Sequence, residues 1–441
     1  MPAWRPKKIS RASRCSSPAT CRATSRARTS SSTAAGARGD TAHALSILIC
    51  PIPHYAMRTI CIFTGTRAEY GLLHPVIRAL KARPDVTVKL LATGSHLAVA
   101  NGATSREITD DGVEIDERVE VLMDSATETG VCTAMGLGMI RYGDVFQRMK
   151  PDLLLVLGDR YEAFAAAAAA TVCGIPIAHL YGGELTFGAI DDAFRHAITK
   201  LSHLHFTATH AYRARVIQLG EDPDCVVTVG SLGVENTRTL ALHDREDTAR
   251  RLGLDMGTPY FLVTFHPATR SAKAPEVQLG ALLEALDGFP GHAVVVTGAN
   301  ADAGGLAINR LLAERAARQP ERYRFHMSLG AKLYLSAARD ACAVVGNSSS
   351  AIIEVPSLGV PCVNVGPRQA GRTHGDGVIS CGDDAPEIVP AIQRALSPEF
   401  RRLAASARNP YDHPDTTAQI VRALVSFDLD RARNKTFHDL G

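Results

Sequence analysis

The chain has 441 residues, 46% of them hydrophobic, with a mean hydropathy close to zero and a formal net charge of +3. That is enough for two medium domains, each with its own core. No uninterrupted apolar run reaches the roughly 20 residues of a membrane-spanning helix, because the alanine-rich stretch at 163–178 is broken by Gly174 and Pro176. Residues 1–56 hold nine Lys/Arg and one acid, Asp40, whereas the rest of the chain holds 39 bases and 44 acids. The main body therefore lacks the electrostatic footprint of a nucleic-acid binder.

Residues 1–56, rich in Arg, Ser and Ala, have the composition of a disordered leader, a transit peptide or a stretch upstream of the working start codon, with Met57 directly before the first clear strand. Ten cysteines are scattered without a C-x-x-C, most of them in apolar runs, which suits free buried thiols in a reducing, cytoplasmic setting.

From residue 58, apolar and amphipathic runs alternate. TICIFT is followed by a helix from Glu69 to about Ala82, then VTVKLLAT, a long helix ending near Met149, DLLLVLGD, an alanine-rich helix and IPIAHLYGG. Strands buried on both faces and separated by helices predict a parallel sheet. The rhythm pauses around GSLGVENTRTL and restarts with YFLVTFHP, HAVVVTG, YRFHMS, CAVVGN and PCVNVG. The prediction is an α/β protein with two doubly wound domains, 57–230 and 231–415, and a last segment, 416–441, whose helix TTAQIVRALVSF crosses back to the first domain.

Ligands of open α/β sheets lie beyond the carboxyl ends of strands, so the loops there carry the candidate chemistry. GTRAEYG follows the first strand and sets Arg67 to reach an anion, or forms an ordinary turn with a solvated arginine. Asp159 and Arg160 follow DLLLVLG; the acid is a general base or a helix cap. The stretch 178–200 gathers His179, Glu184, Asp191, Asp192, Arg195 and His196 around a glycine pair, as proton transfer requires, although both aspartates also suit helix capping. His203 and His205 alternate on a strand with no third ligand at metal-site spacing, and read as core histidines.

In the second half, His266 and Asn300 stand at strand ends. The turn GNSSS offers consecutive amides and the hydroxyls of Ser348, Ser349 and Ser350 to an anion. Glu354 follows within two helical turns, placed to accept ribose hydroxyls, and Arg368 and Arg372 come after the next strand. This combination suits the diphosphate and ribose of a nucleotide. Neither G-x-G-x-x-G after a strand nor G-x-x-x-x-G-K-[ST] is present, so no redox cofactor, no metal and no other cofactor is expected.

GTRAEYG, GDRYEAFAAA, HLYGGELTFGAIDDAFRHAITKLSHLHF, TFHPAT and VVGNSSSAIIEVPSLGVPCVNVGPRQAGR, in order over about 58–427, resemble the hydrolysing UDP-N-acetylglucosamine 2-epimerases of bacterial sialic- and legionaminic-acid synthesis. The resemblance implies a glycosyltransferase-B fold with a nucleotide-sugar held between the domains, as sole small-molecule partner of a cytoplasmic homo-oligomer, dimer or tetramer. It implies conversion of UDP-N-acetylglucosamine, or a related UDP- or GDP-linked 2-acetamido sugar, to free N-acetylmannosamine-type sugar and nucleoside diphosphate. The alternatives are a non-hydrolysing epimerase and a non-catalytic sensor. By motif, Asp159, Glu184, Asp191 and His266 are the catalytic candidates. Arg67, Arg160, Asn300, Ser348, Ser349, Glu354 and Arg368 are the substrate-binding ones. One departure stands out: Tyr181 occupies a position where non-hydrolysing relatives and the animal enzyme carry Glu.

Overall fold

A computed structural model of the chain describes residues 57–98, 104–121, 127–187, 189–268, 273–299, 304–432 and 434–440. The expected leader, 1–56, and Asn300 lie outside the described residues.

Two parallel sheets organise the fold. The first contains β1 (Arg58–Thr64), β2 (Val86–Thr93), β3 (Glu117–Val119), β4 (Leu153–Leu157), β5 (Ile177–Leu180), β6 (Leu204–Thr207) and β7 (Val226–Thr228), in spatial order 3-2-1-4-5-6-7. The second contains β8 (Tyr260–Thr264), β9 (Ala293–Thr297), β10 (Tyr323–His326), β11 (Ala343–Gly346), β12 (Cys362–Val365) and β13 (Val378–Cys381), in order 10-9-8-11-12-13. Strand order reverses between β1 and β4 and again between β8 and β11. At such reversals the flanking loops part and leave a crevice.

The apolar runs read as strands because both faces are covered. On β1, Ile60 and Ile62 enter one core while Cys61 and Phe63 enter the core on the other face; Leu153 and Leu155 of β4 are split from Leu154 and Val156 in the same way. The second sheet repeats this with Phe261 and Val263 against Tyr260 and Leu262. The helix Tyr161–Val172 is rich in alanine because it is pressed tightly against the helix Glu128–Met149. A side chain at Gly138 of that second helix would come within 3.4 Å of Ala165 and 2.8 Å of the Tyr142 ring. Among the described residues, no helix is long and apolar enough to cross a membrane.

The chain passes between the sheets twice. It leaves the first through residues 229–231, which lead into the helix Leu232–Thr239, and returns through 411–415 into the helix Thr416–Ser426. Ile420, Val421, Leu424 and Val425 of the returning helix join the core formed by Ile60 and Ile62, and the Arg58 guanidinium donates to Leu424 O at 2.6 Å and Phe427 O at 2.8 Å. Leu424 is fully buried, so truncating it to alanine should cost about 2–5 kcal/mol. The two passages run side by side. Ser231 N–H donates to Tyr411 O at 3.0 Å, and the Thr416 hydroxyl donates to Val229 O at 2.6 Å. Gly230 has φ +79°, and a Cβ there would sit 2.4 Å from that of His413, so only glycine fits.

Candidate active site

The sequence-predicted loops lie at the two strand-order reversals. After β1, Thr66 caps the helix Arg67–Lys81 by accepting from Glu69 N–H at 3.2 Å, and the Glu69 carboxylate turns back to accept from Gly65 N–H at 2.7 Å. This is a variation on the capping box. Burial pushes the Glu69 carboxyl up to about 7, against the opposing pull of Arg160. Arg67 leaves the turn to pair with Glu107 at 3.2 Å. After β4, Arg160 pairs with the buried Glu162 at 3.2 Å.

Asp159 forms an ion pair with Arg195, whose side chain is 1% exposed and belongs to the helix Asp191–Leu201. Arg195 also donates to Glu184 O at 3.0 Å, to Thr186 Oγ1 at 2.7 Å and to Asp192 at 3.3 Å. One guanidinium thus gathers the loops after β4 and β5. Sequence reasoning counted Arg195 among the acids and bases but left it out of the site; its place one turn after the Asp191–Asp192 pair was the available signal. Burial alone would push the Asp159 carboxyl up. Arg195, Arg372 and Arg160 outweigh it and hold the group below its ordinary value. Asp191 opens the helix, half-buried, while Asp192 accepts from Thr186 N–H at 2.6 Å.

The loop after β5 bends sharply. Tyr181 sits at φ +70°, a left-handed conformation unfavourable to a residue of its size. Its phenol oxygen accepts from Leu232 N–H at 2.9 Å and lies 3.3 Å from Ser231 Oγ, so the strained residue is fastened to the passage between the sheets. Three residues on, Glu184 pairs with Arg372 at 2.7 Å, with both side chains buried. His179, His203 and His205 have structural partners. His179 donates to Gly158 O at 2.7 Å, His203 accepts from Ile177 N–H at 3.2 Å, and His205 meets Glu221 at 2.9 Å.

On the second sheet, Asn347 joins the loops after β8 and β11. Its carbonyl accepts from His266 N–H at 2.7 Å and its amide donates to His266 O at 2.8 Å. Gly346 reaches φ +140°, and any side chain there would meet Thr264 O at 2.0 Å. The helix after the serine turn is short, Ser350–Ile353, and Ser349 gives it no side-chain cap. Its first amides have no acceptor within the helix. The Ser348 hydroxyl accepts from Ser350 N–H at 3.4 Å, and Arg368 and Gln369 donate to Asn347 O at 3.1 and 2.8 Å. Glu354 lies against Gly233, and burial raises its carboxyl above the ordinary value despite the pull of Ser350 and Arg372.

The two sets of loops meet. Phe187 N–H donates to Ala370 O at 3.1 Å. The Tyr212 hydroxyl accepts from Thr373 N–H at 2.9 Å and lies 2.7 Å from the Tyr411 hydroxyl, which donates to Thr373 O at 2.8 Å. Asp159, Glu184 and Asp191 are thereby grouped on one side, with Ser348, Ser349, Arg368 and His266 around Asn347 on the other. Arg67 faces its surface partner. Glu184, Glu354, Gln369 and Arg372 each keep a buried polar atom with no protein partner, as polar ligand sites do.

Two doubly wound parallel sheets, with acids grouped on the loops of one and a serine turn and arginines on the loops of the other, define a two-domain α/β fold of the glycosyltransferase-B type. A UDP-GlcNAc 2-epimerase from Neisseria meningitidis, solved with UDP-GlcNAc bound, shares this fold with a TM-score of 0.69 at 19% identity, over 84% of this chain and 100% of that one. The protein belongs to the UDP-N-acetylglucosamine 2-epimerase family, whose model matches residues 78–425. Among its relatives, the GDP/UDP-N,N'-diacetylbacillosamine 2-epimerase (hydrolyzing) of Campylobacter jejuni subsp. jejuni serotype O:2 is 34% identical over 87% of this chain and 99% of its own length. Polysialic acid biosynthesis protein P7 of Escherichia coli is 36% identical over 87% of this chain and 97% of its own.

Proposed function

We propose that this protein is a hydrolysing 2-epimerase. It takes a UDP- or GDP-linked 2-acetamido sugar, with UDP-N-acetylglucosamine the simplest case, and releases nucleoside diphosphate and the free C2-epimeric sugar, N-acetylmannosamine in that case. The observation that carries this reading is the pairing of an acid cluster ordered by Arg195 with a serine turn and Arg368 on the facing loops.

The chemistry runs in two steps. A carboxylate takes the C2 proton while the C1–O bond to the diphosphate breaks, and a C1=C2 double bond forms. Water then adds its oxygen to C1, and a proton returns to C2 from the opposite face. Asp159 suits the first task because its arginine neighbours keep it ionised. Glu184 and Asp191 are the partners for the second. The C2 hydrogen beside an acetamido group is weakly acidic, so departure of the diphosphate must share the work. Ser348, Ser349, Arg368, Arg160 and His266 stabilise it as it leaves, and Glu354 holds the ribose.

A second sugar class is favoured by two relatives named for diacetylbacillosamine, from Campylobacter jejuni and from Legionella pneumophila, at 34% and 33% identity. The 2,4-diacetamido donors are therefore assayed beside UDP-N-acetylglucosamine. The reading extends to self-association through the helix Glu128–Met149, which leaves Leu137, Met139 and Ile140 exposed.

The test is turnover in heavy water followed by NMR. Deuterium at C2 of the free sugar, with nucleoside diphosphate released in equal amount, is the expected result. Product without deuterium, or a nucleotide-linked product, overturns the reading.

A further inference from the structure

Arg372 stands between the two halves of the site. It belongs to the turn after β12 that also carries Arg368 and Gln369, and its N–H donates to Gln369 O at 3.1 Å. Gln369 and Arg368 in turn hold Asn347, the residue before the serine turn. The guanidinium nevertheless reaches across to the first sheet's loops, where Nη2 meets Glu184 Oε2 at 2.7 Å.

This pair is incomplete. Arginine and carboxylate commonly meet through two parallel hydrogen bonds. Here Arg372 Nε and Glu184 Oε1 are buried and have no partner among the described residues. In a low-dielectric setting a half-satisfied ionic pair is costly, and a ligand able to use the spare donor competes well for it. Burial would push the Arg372 guanidinium down, but Glu184, Tyr411 and Asp159 more than reverse this, so it stays a cation. Glu354, the residue assigned to the ribose, feels both Arg372 and Glu184.

Resting on the nucleotide-sugar reading above, we propose that the Glu184–Arg372 pair is exchanged on binding: the diphosphate takes Arg372, and the Glu184 carboxylate is released toward the sugar. Occupation of the nucleotide half then unmasks a carboxylate in the other half. The Glu184 main chain does not have to move, because Arg195 holds its carbonyl independently of Arg372. Arg372 is in this sense a positioning residue for Glu184 and a ligand of the diphosphate.

The exchange predicts effects of opposite sign on nucleotide affinity. UDP and GDP are titrated calorimetrically into the full chain and into Glu184→Gln, Arg372→Met and the double variant, with thermal melts to verify folding. Glu184→Gln removes the competitor and tightens binding several-fold. Arg372→Met loses a charged hydrogen bond to phosphate and weakens binding roughly tenfold or more. The double variant matches Arg372→Met. Should Arg372→Met fail to fold, Glu184→Gln still decides, with Arg372→Lys as its companion. Unchanged or weaker binding by Glu184→Gln overturns the exchange and leaves the nucleotide reading standing. A wild-type chain that binds neither nucleotide overturns both.

Discussion

Glu354 can be tested without being mutated. Gly233 lies in the first turn of the helix Leu232–Thr239, and a Cβ on it would sit 2.2 Å from Glu354 Oε1 and 2.7 Å from its Cγ. The backbone there is ordinary helix, where alanine is favoured over glycine by about 1 kcal/mol. Gly233→Ala should therefore leave the melting temperature unchanged or slightly raised while forcing the Glu354 carboxylate aside. Each charge-assisted hydrogen bond to a ribose hydroxyl is worth about 1.5–3 kcal/mol, so losing one or both should weaken UDP binding by about 3 kcal/mol, roughly a hundredfold. Glu354→Ala should give a similar loss, and the double variant no more than either alone, since the two changes remove one interaction. Ribose contacts are about equal in ground and transition states, so KM should rise more than kcat falls. Calorimetry on the four proteins decides: wild-type UDP affinity in Gly233→Ala, or additive losses in the double variant, would refute the placement of Glu354 on the ribose.

Asp159→Asn keeps the shape and removes the charge, and should slow release of nucleotide and of free sugar together by about 10²–10⁴-fold; normal turnover would move the base to Glu184 or Asp191. Glu69 has its carboxyl pushed up from the usual 4.5 to about 7, so between those values the folded chain holds a proton that the unfolded chain has released. Its contribution to stability is complete below pH 4.5 and is lost as pH rises through 7. Glu69→Gln should therefore flatten the fall in unfolding free energy over that window, by up to about 3 kcal/mol, and identical pH slopes in urea titrations would contradict this. Ile140→Glu, on the exposed apolar face of the helix Glu128–Met149, should lower the sedimentation mass of the native particle, and an unchanged mass would put self-association elsewhere.

Strands of the sheet interiors were legible because parallel strands covered on both faces are written in unbroken apolar residues, as in LLLVL and AVVVT. The edge strands β3, β7 and β13 were missed. ERV and VVT offer three residues each, and VISC buries only its first two side chains fully. The site loops were legible from Gly, Asn and Ser at strand ends. Which side chains meet across those loops was not. Asp159 and Arg195 are joined only when β4 and β5 lie side by side, and Glu184 and Arg372 only when the two sheets do. Arg67 shows the reverse case. Its motif pointed to an anion, but the segment carrying Glu107 folds back beside it, and nothing local in GTRAEYG announces that neighbour.

The paired passages between the sheets have a mechanical consequence. Two strands of chain bonded to each other at Ser231–Tyr411 and Val229–Thr416, with glycine at their closest approach, behave as the pin of a door. Swinging about the pin preserves both bonds, whereas wringing one sheet against the other shears them. Relative motion of the halves is thereby reduced to one degree of freedom. Since Tyr181 is fastened to Leu232 beside that pin, the angle of the door is sensed within a few residues of Glu184.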